Sequence, residues 1–169
     1  MAITDEPTIE DLRPVVRHTD ETEGRWFLNG LMTTLATGAE TGEAYCLMEH
    51  RLTAACNSPV HRHEVEDEAF YVLDGELEIA VDGQSVVAGP GCFALVPRGV
   101  LHGFAVRSAT ARVLVIVSGS DVPGGGLERF FAVAGVPAPV RALPEPSAPD
   151  PGALTAIADV HGIVIAPPS

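Results

Sequence analysis

An all-β barrel or sandwich is the fold class the sequence predicts, and three observations predict it. Runs rich in Val, Leu, Phe and Tyr recur about every ten residues between Arg25 and Val117, the spacing of short strands joined by turns. Asp74-Gly75 and Asp82-Gly83 supply the positive φ that tight hairpins need. Gly89-Pro90-Gly91 and Pro97-Arg98-Gly99 punctuate the next two runs, the latter as a type I turn would. Strands are therefore predicted near 25–36, 43–54, 68–74, 76–82, 84–88, 92–96, 101–106 and 111–118.

The flanks read differently. Residues 1–24 hold seven acids and two arginines without periodicity, so they are read as an acidic N-terminal arm with no signal-peptide pattern. The barrel is assigned to 25–118 and a C-terminal region to 119–169. There Leu127, Phe130, Phe131 and Ala134 fall on one face of a short helix closed by Gly135. Six prolines in 136–151 predict a stiff extended strap. Asp150-Pro151 then caps a terminal helix bearing Leu154 and Ile157, with Gly162 as its stop and His161 in a structural place in its last turn.

Composition excludes several function classes. A net charge of −13 disfavours nucleic acid and anionic membrane surfaces as partners. All ten basic residues are Arg, so Schiff-base, pyridoxal-phosphate and phosphate-loop chemistry have no lysine to use. Cys46, Cys56 and Cys92 are odd in number and form no CxxC, which reads as reduced, small buried hydrophobes in a cytoplasmic protein. The longest strongly apolar run, Val113 to Val117, is too short to span a bilayer.

Chemistry is concentrated in one set of residues. His61 and His63 stand two apart, a spacing that points both imidazoles the same way on an extended chain; Glu68 heads the next run and His102 begins a later one. Three imidazole nitrogens and a carboxylate oxygen suit one divalent transition ion, and an octahedral shell would leave two positions open. Ni, Co, Fe, Mn, Cu and Zn all remain candidates for the ion, because this donor set accepts most first-row divalent metals.

These residues sit in two punctuated blocks, His61-x-His63-x4-Glu68-x6-Gly75 and Gly91-x5-Pro97-x-Gly99-x2-His102. Both resemble the two motifs of the cupin superfamily in every spacing. Val106 stands where that pattern often has Asn, a position that supports a strand and holds no metal. The resemblance implies a double-stranded β-helix, a jelly-roll barrel of two facing antiparallel sheets with short C-terminal helices added here. It also implies His61, His63, Glu68 and His102 as metal ligands. Trp26-Phe27-Leu28 ahead of the barrel and Leu127 to Phe131 behind it look like the flanks of bacterial monocupins similar to quercetin 2,3-dioxygenase. That further likeness implies a metal-dependent dioxygenase acting with dioxygen on a small aromatic or flavonol-like substrate, with Glu68, or secondarily His50, as the proton acceptor. A redox-neutral isomerase or cyclase of polyketide-type biosynthesis and a non-catalytic small-molecule binder are the alternatives.

Strand parity places the neighbours. With Glu68 inward, Phe70 and Val72 follow; with His102 inward, Phe104 and Val106 follow. Cys46, Met48, His50 and Leu52 form the more apolar face of the second strand, so His50 is the polar group expected to project into the cavity. Trp26, Phe27, Met48, Phe70 and Phe104 are the expected substrate-pocket residues, and Glu64, Glu66 and Asp67 are read as a solvated acidic loop. The outward set Ala69, Tyr71 and Leu73 needs cover, from the strap or from a second subunit in a homodimer.

Overall fold

The structure, a computed structural model, describes residues 12–119, 126–147 and 150–167. The first eleven residues of the acidic arm, and the ends of the C-terminal region at 120–125, 148–149 and 168–169, lie outside the described residues. The strands in chain order are β1 (Gly24–Phe27), β2 (Gly30–Ala36), β3 (Tyr45–Thr53), β4 (His61–His63), β5 (Asp67–Asp74), β6 (Leu77–Val81), β7 (Gln84–Ala88), β8 (Phe93–Val96), β9 (His102–Val106), β10 (Thr110–Ser118), β11 (Val136–Pro137) and β12 (Ile163–Ile165). Two helices accompany them, α1 (Gly126–Ala134) and α2 (Pro151–Val160).

The strands form two antiparallel sheets. One has seven strands in the order β11-β1-β2-β3-β10-β5-β8, the other five in the order β12-β4-β9-β6-β7. Strands close in sequence fall in different sheets, as β4 and β5 do, so the chain crosses between them repeatedly and the two sheets face each other as a jelly roll. The core lies between them, where Met48, Leu52, Val72, Leu77, Val96, Val113, Val115 and Val117 are fully enclosed.

The turn chemistry accounts for the corners. Gly75 sits at φ +76, and a Cβ there would come within 2.2 Å of the Thr110 carbonyl oxygen, so only glycine fits where β5 turns under β10. The predicted first strand, 25–36, is instead a hairpin: Leu28 adopts φ 50 and the chain folds back, pairing Trp26 with Leu31 and Phe27 with Gly30. Leu28 itself carries no turn signal; the Asn29-Gly30 dipeptide beside it does, within a run read as one strand.

The C-terminal region is part of the barrel wall. Val136 and Pro137 pair with Trp26 and Arg25, and Ile163–Ile165 pairs with His63–His61, adding an edge strand to each sheet. Between them the strap runs along the β1–β2 edge. There Trp26 Nε1 donates to the Ala142 carbonyl at 2.8 Å, Arg141 Nη2 donates to Thr33 Oγ1 at 3.0 Å, and Ser147 N donates to Asn29 Oδ1 at 2.8 Å. Asp150 caps α2 by accepting from Gly152 N and Ala153 N, and the His161 ring bonds the Ile157 carbonyl at its other end. The strap therefore covers β1 and β2 and leaves the β5–β8 face bare: Tyr71 is 40% exposed, Phe93 60% and Leu95 57%. Ala69 in the same row is buried.

Candidate metal centre

His61 and His63 lie on β4, His102 on β9 and Glu68 on β5. His61 and His102 are register partners in the five-stranded sheet, and Glu68 reaches across from the seven-stranded one. The four side chains offer ligand atoms that all lie within 4.8 Å of one another. Strand alternation produces this: His61 and His63 share a face of β4, and Glu68, Phe70 and Val72 share the inward face of β5.

Each imidazole is held by its other nitrogen. His61 Nδ1 lies 2.8 Å from the Pro59 carbonyl oxygen and His102 Nδ1 2.9 Å from that of Val100. His63 Nδ1 lies 3.2 Å from Glu66 Oε2. Carbonyls and carboxylates accept and cannot donate, so every Nδ1 carries the hydrogen and every Nε2 is turned toward the centre. His102 Nε2 stands 2.8 Å and His63 Nε2 3.3 Å from Glu68 Oε2. His63 Nε2 is buried with no hydrogen-bond partner of good geometry. Three oriented Nε2 atoms, one of them orphaned, around a single carboxylate fit a divalent ion.

The electrostatics show how strongly these groups act on one another. Burial opposes ionisation of Glu68, but the close His102 and His63 rings and the His61 imidazole hold it well below the usual carboxylate range. Burial also pulls His63 down, and the carboxylates of Glu66 and Glu68 more than reverse this, raising it to about 9. His61 stays depressed at about 4, chiefly through burial.

The cluster opens on an apolar chamber of about 80 Å³. His61 and Glu68 form its polar end; Phe27, Phe104, Phe130 and Phe131 are among its walls, and α2 and β12 close it with Leu154, Ala158, Ile163 and Ile165. His50 also lines it, buried, with its ring edge against Phe131 at 5.2 Å and its Nε2 unpartnered. Burial lowers the His50 imidazole to about 4, with Glu68 and Glu49 pulling the other way, so it is neutral near pH 7.

Of the five expected pocket residues, Phe27 and Phe104 line the chamber. Met48 is fully enclosed in the core, and Phe70 stands behind the site with its ring 6.5 Å from that of His102. Trp26, on the opposite face of β1 from Phe27, lies in an outer groove of about 540 Å³ beside the strap. That groove shares Phe27, Leu28 and Leu154 with the chamber.

The largest correction concerns Glu66. It is no part of a solvated loop: only 1% exposed, it accepts from Gly126 N at 2.5 Å and Leu127 N at 3.0 Å as well as facing His63. The helix it meets begins sixty positions later, so local sequence carries no trace of the contact. The thiols also divide: Cys46 and Cys56 are buried as expected, but Cys92 is exposed.

Residues 49–117 match the family model of the cupin domain. The barrel has the cupin fold. Over 117 residues this chain is 28% identical to a quercetin 2,3-dioxygenase of Bacillus subtilis (strain 168), a match covering 68% of this chain and 33% of that protein. The chain thus spans about one third of the length of that curated relative. Among solved structures, the polyketide cyclase RemF from Streptomyces resistomycificus is similar at 25% identity and a TM-score of 0.55, over 62% of this chain and 79% of that one. An RmlC-like cupin from Shewanella frigidimarina aligns at 19% identity and a TM-score of 0.57, over 64% and 94% of the two chains, which supports the fold alone. Among the described residues, no helix of this cupin is long and apolar enough to cross a membrane.

Proposed function

We propose that this cupin is a metal-dependent dioxygenase acting on a small aromatic or flavonol-like compound. The observation that carries the reading is the convergence of three Nε2 atoms and one carboxylate at the polar end of an otherwise apolar chamber. His61, His63, Glu68 and His102 would hold one divalent transition ion, which supplies Lewis-acid chemistry toward a substrate hydroxyl and, for a redox-active metal, electron transfer with dioxygen. Glu68, an anionic group lining the chamber, would take the hydroxyl proton. Neutral His50, also lining the chamber, would offer its unsatisfied Nε2 to a substrate oxygen. The phenylalanines exclude water and present ring edges to a flat apolar substrate.

Chamber size limits the substrate. An apolar cavity of about 150 Å³ accommodates benzene, so a chamber of about 80 Å³ admits a ring only if its walls yield. The body of a flavonol-sized molecule would rest in the outer groove, past Phe27, Leu28 and Leu154. The likeness to a quercetin 2,3-dioxygenase supports this reading.

A second reading, a redox-neutral cyclase or isomerase using the same site, is favoured by the likeness to a polyketide cyclase. Oxygen uptake by metal-loaded protein with a flavonol such as quercetin separates the two. Consumption of dioxygen with substrate supports the first; conversion under strict anaerobiosis supports the second and refutes the first. For Glu68→Gln, turnover remaining about 10²–10⁴-fold slow at saturating metal is expected of a lost general base. Recovery to the native rate would remove that role from Glu68.

A further inference from the structure

Glu66 lies outside the proposed ligand set, yet it is among the most deeply buried charged groups of the cupin. Three N–H groups converge on its carboxylate: Gly126 N on Oε1, and both Leu127 N and His63 Nδ1 on Oε2. Two of the three belong to the first turn of α1, and the third belongs to a metal-ligand candidate. Helix α1 in turn supplies Leu127, Phe130 and Phe131 to the chamber.

Space at the contact is as restricted as the hydrogen bonding. A Cβ at Gly126 would lie 2.9 Å from Glu66 Oε2 and 2.5 Å from the His161 carbonyl oxygen. Glycine is therefore what lets the helix backbone approach the carboxylate. Leu127 N and His63 Nδ1 share one oxygen, so a displacement of the α1 terminus displaces the acceptor that sets the His63 ring.

We infer that Glu66 is a positioning residue that couples the metal centre to the helix walling the chamber. Its carboxylate requires Nδ1–H on His63 and so leaves Nε2 as a lone pair for the ion, while the same oxygens dock α1. The inference rests on the metal centre proposed above, whatever reaction that centre runs.

Two variants test it, with Co(II) as the probe. Glu66→Gln leaves one acceptor oxygen for three N–H groups, so whichever way the amide turns its NH₂ faces an N–H of α1 and the shared contact with the helix and His63 is broken. Co(II) affinity should fall about 10–100-fold, the usual effect of losing a partner of a ligating histidine. Gly126→Ala leaves every ligand and the carboxylate chemically intact but pushes the helix terminus against Glu66, shifting the acceptor of His63, and should weaken Co(II) several-fold. If α1 acts through Glu66, the double variant loses little more than Glu66→Gln alone.

Circular dichroism and urea unfolding establish that each variant is folded before titration. Native Co(II) affinity in folded Glu66→Gln or in Gly126→Ala, or losses that simply multiply in the double variant, would overturn the coupling. If Glu66→Gln does not fold, Gly126→Ala decides alone: a weakened site supports the inference and an unchanged one ends it. A native protein that binds no Co(II) would instead refute the metal centre itself, a distinguishable failure.

Discussion

His50 gives the sharpest quantitative expectation, because its environment is wholly interior. Burial depresses its imidazole from an ordinary 6.5 to about 4 in the folded state. Between those values the unfolded chain binds a proton that the folded one refuses, so unfolding becomes easier as pH falls. The stability associated with neutral His50 is complete above about pH 6.5 and is lost progressively down to about pH 4. A depression of about 2.5 pH units at about 1.36 kcal/mol each corresponds to roughly 3 kcal/mol. His50→Phe removes the titration, preserves an aromatic ring against Phe131, and eliminates the orphaned Nε2. Urea unfolding of both proteins at pH 7 and pH 4, with chelator present throughout, isolates the effect. Relative to the native protein, the variant should gain roughly 3 kcal/mol between the two conditions. A difference in stability that does not change with pH would show that His50 takes up its proton alike in the folded and unfolded chain, and would refute its desolvated environment.

Three further outcomes follow from particular contacts. Gly75→Ala forces a side chain into the left-handed region and onto the Thr110 carbonyl, so it should cost more than about 2 kcal/mol in denaturant unfolding; a native midpoint would contradict the packing of that turn. The proposed cytoplasmic setting predicts three reduced thiols on denaturation, with Cys92 alone reacting quickly in the native state. Cys56, pushed up by burial to about 11, should stay inert until unfolding, and fewer than three thiols without added oxidant would argue against that setting. The bare face of Tyr71, Phe93 and Leu95 is proposed to be covered in a homodimer, since the strap lies along another edge; light scattering at micromolar concentration should give twice the chain mass, and a monomer would exclude it.

Strand parity and turn residues made most of the barrel legible. Glu68, Phe70 and Val72 are buried together, as are Cys46, Met48, His50 and Leu52, because period-two alternation leaves little choice once one face is apolar. Six of the eight predicted strands, from 68–74 to 111–118, lie within a residue of the observed bounds at each end, and Asp-Gly, Gly-Pro-Gly and Pro-Arg-Gly mark several of those ends. The features that sequence did not reveal depend on distant partners. Glu66 reads as one more acid in an acidic stretch until α1 arrives to bond it. Ile163–Ile165 is three apolar residues after a glycine, too short to declare a strand without β4 beside it. The fate of Trp26 depended on the strap, whose course proline content cannot specify.

The pairing of β12 with β4 makes the far end of the chain a support for its chemistry. Within its sheet, β4 has only the single His61–His102 register pair on its other side, so Ile163–Ile165 provides most of the ladder holding two of the four candidate ligands. A protease cut in the strap, followed by loss of the fragment beyond it, would strip away α2 and β12 but none of the four candidate ligands. The barrel strands from β1 to β10 would keep nearly all their mutual pairing, whereas β4 would become a frayed edge. During synthesis the same dependence imposes an order: the centre cannot reach its final geometry until Ile163–Ile165 has emerged and paired with β4. An ion acquired earlier would meet a looser site, and that pairing is the step at which tight retention begins.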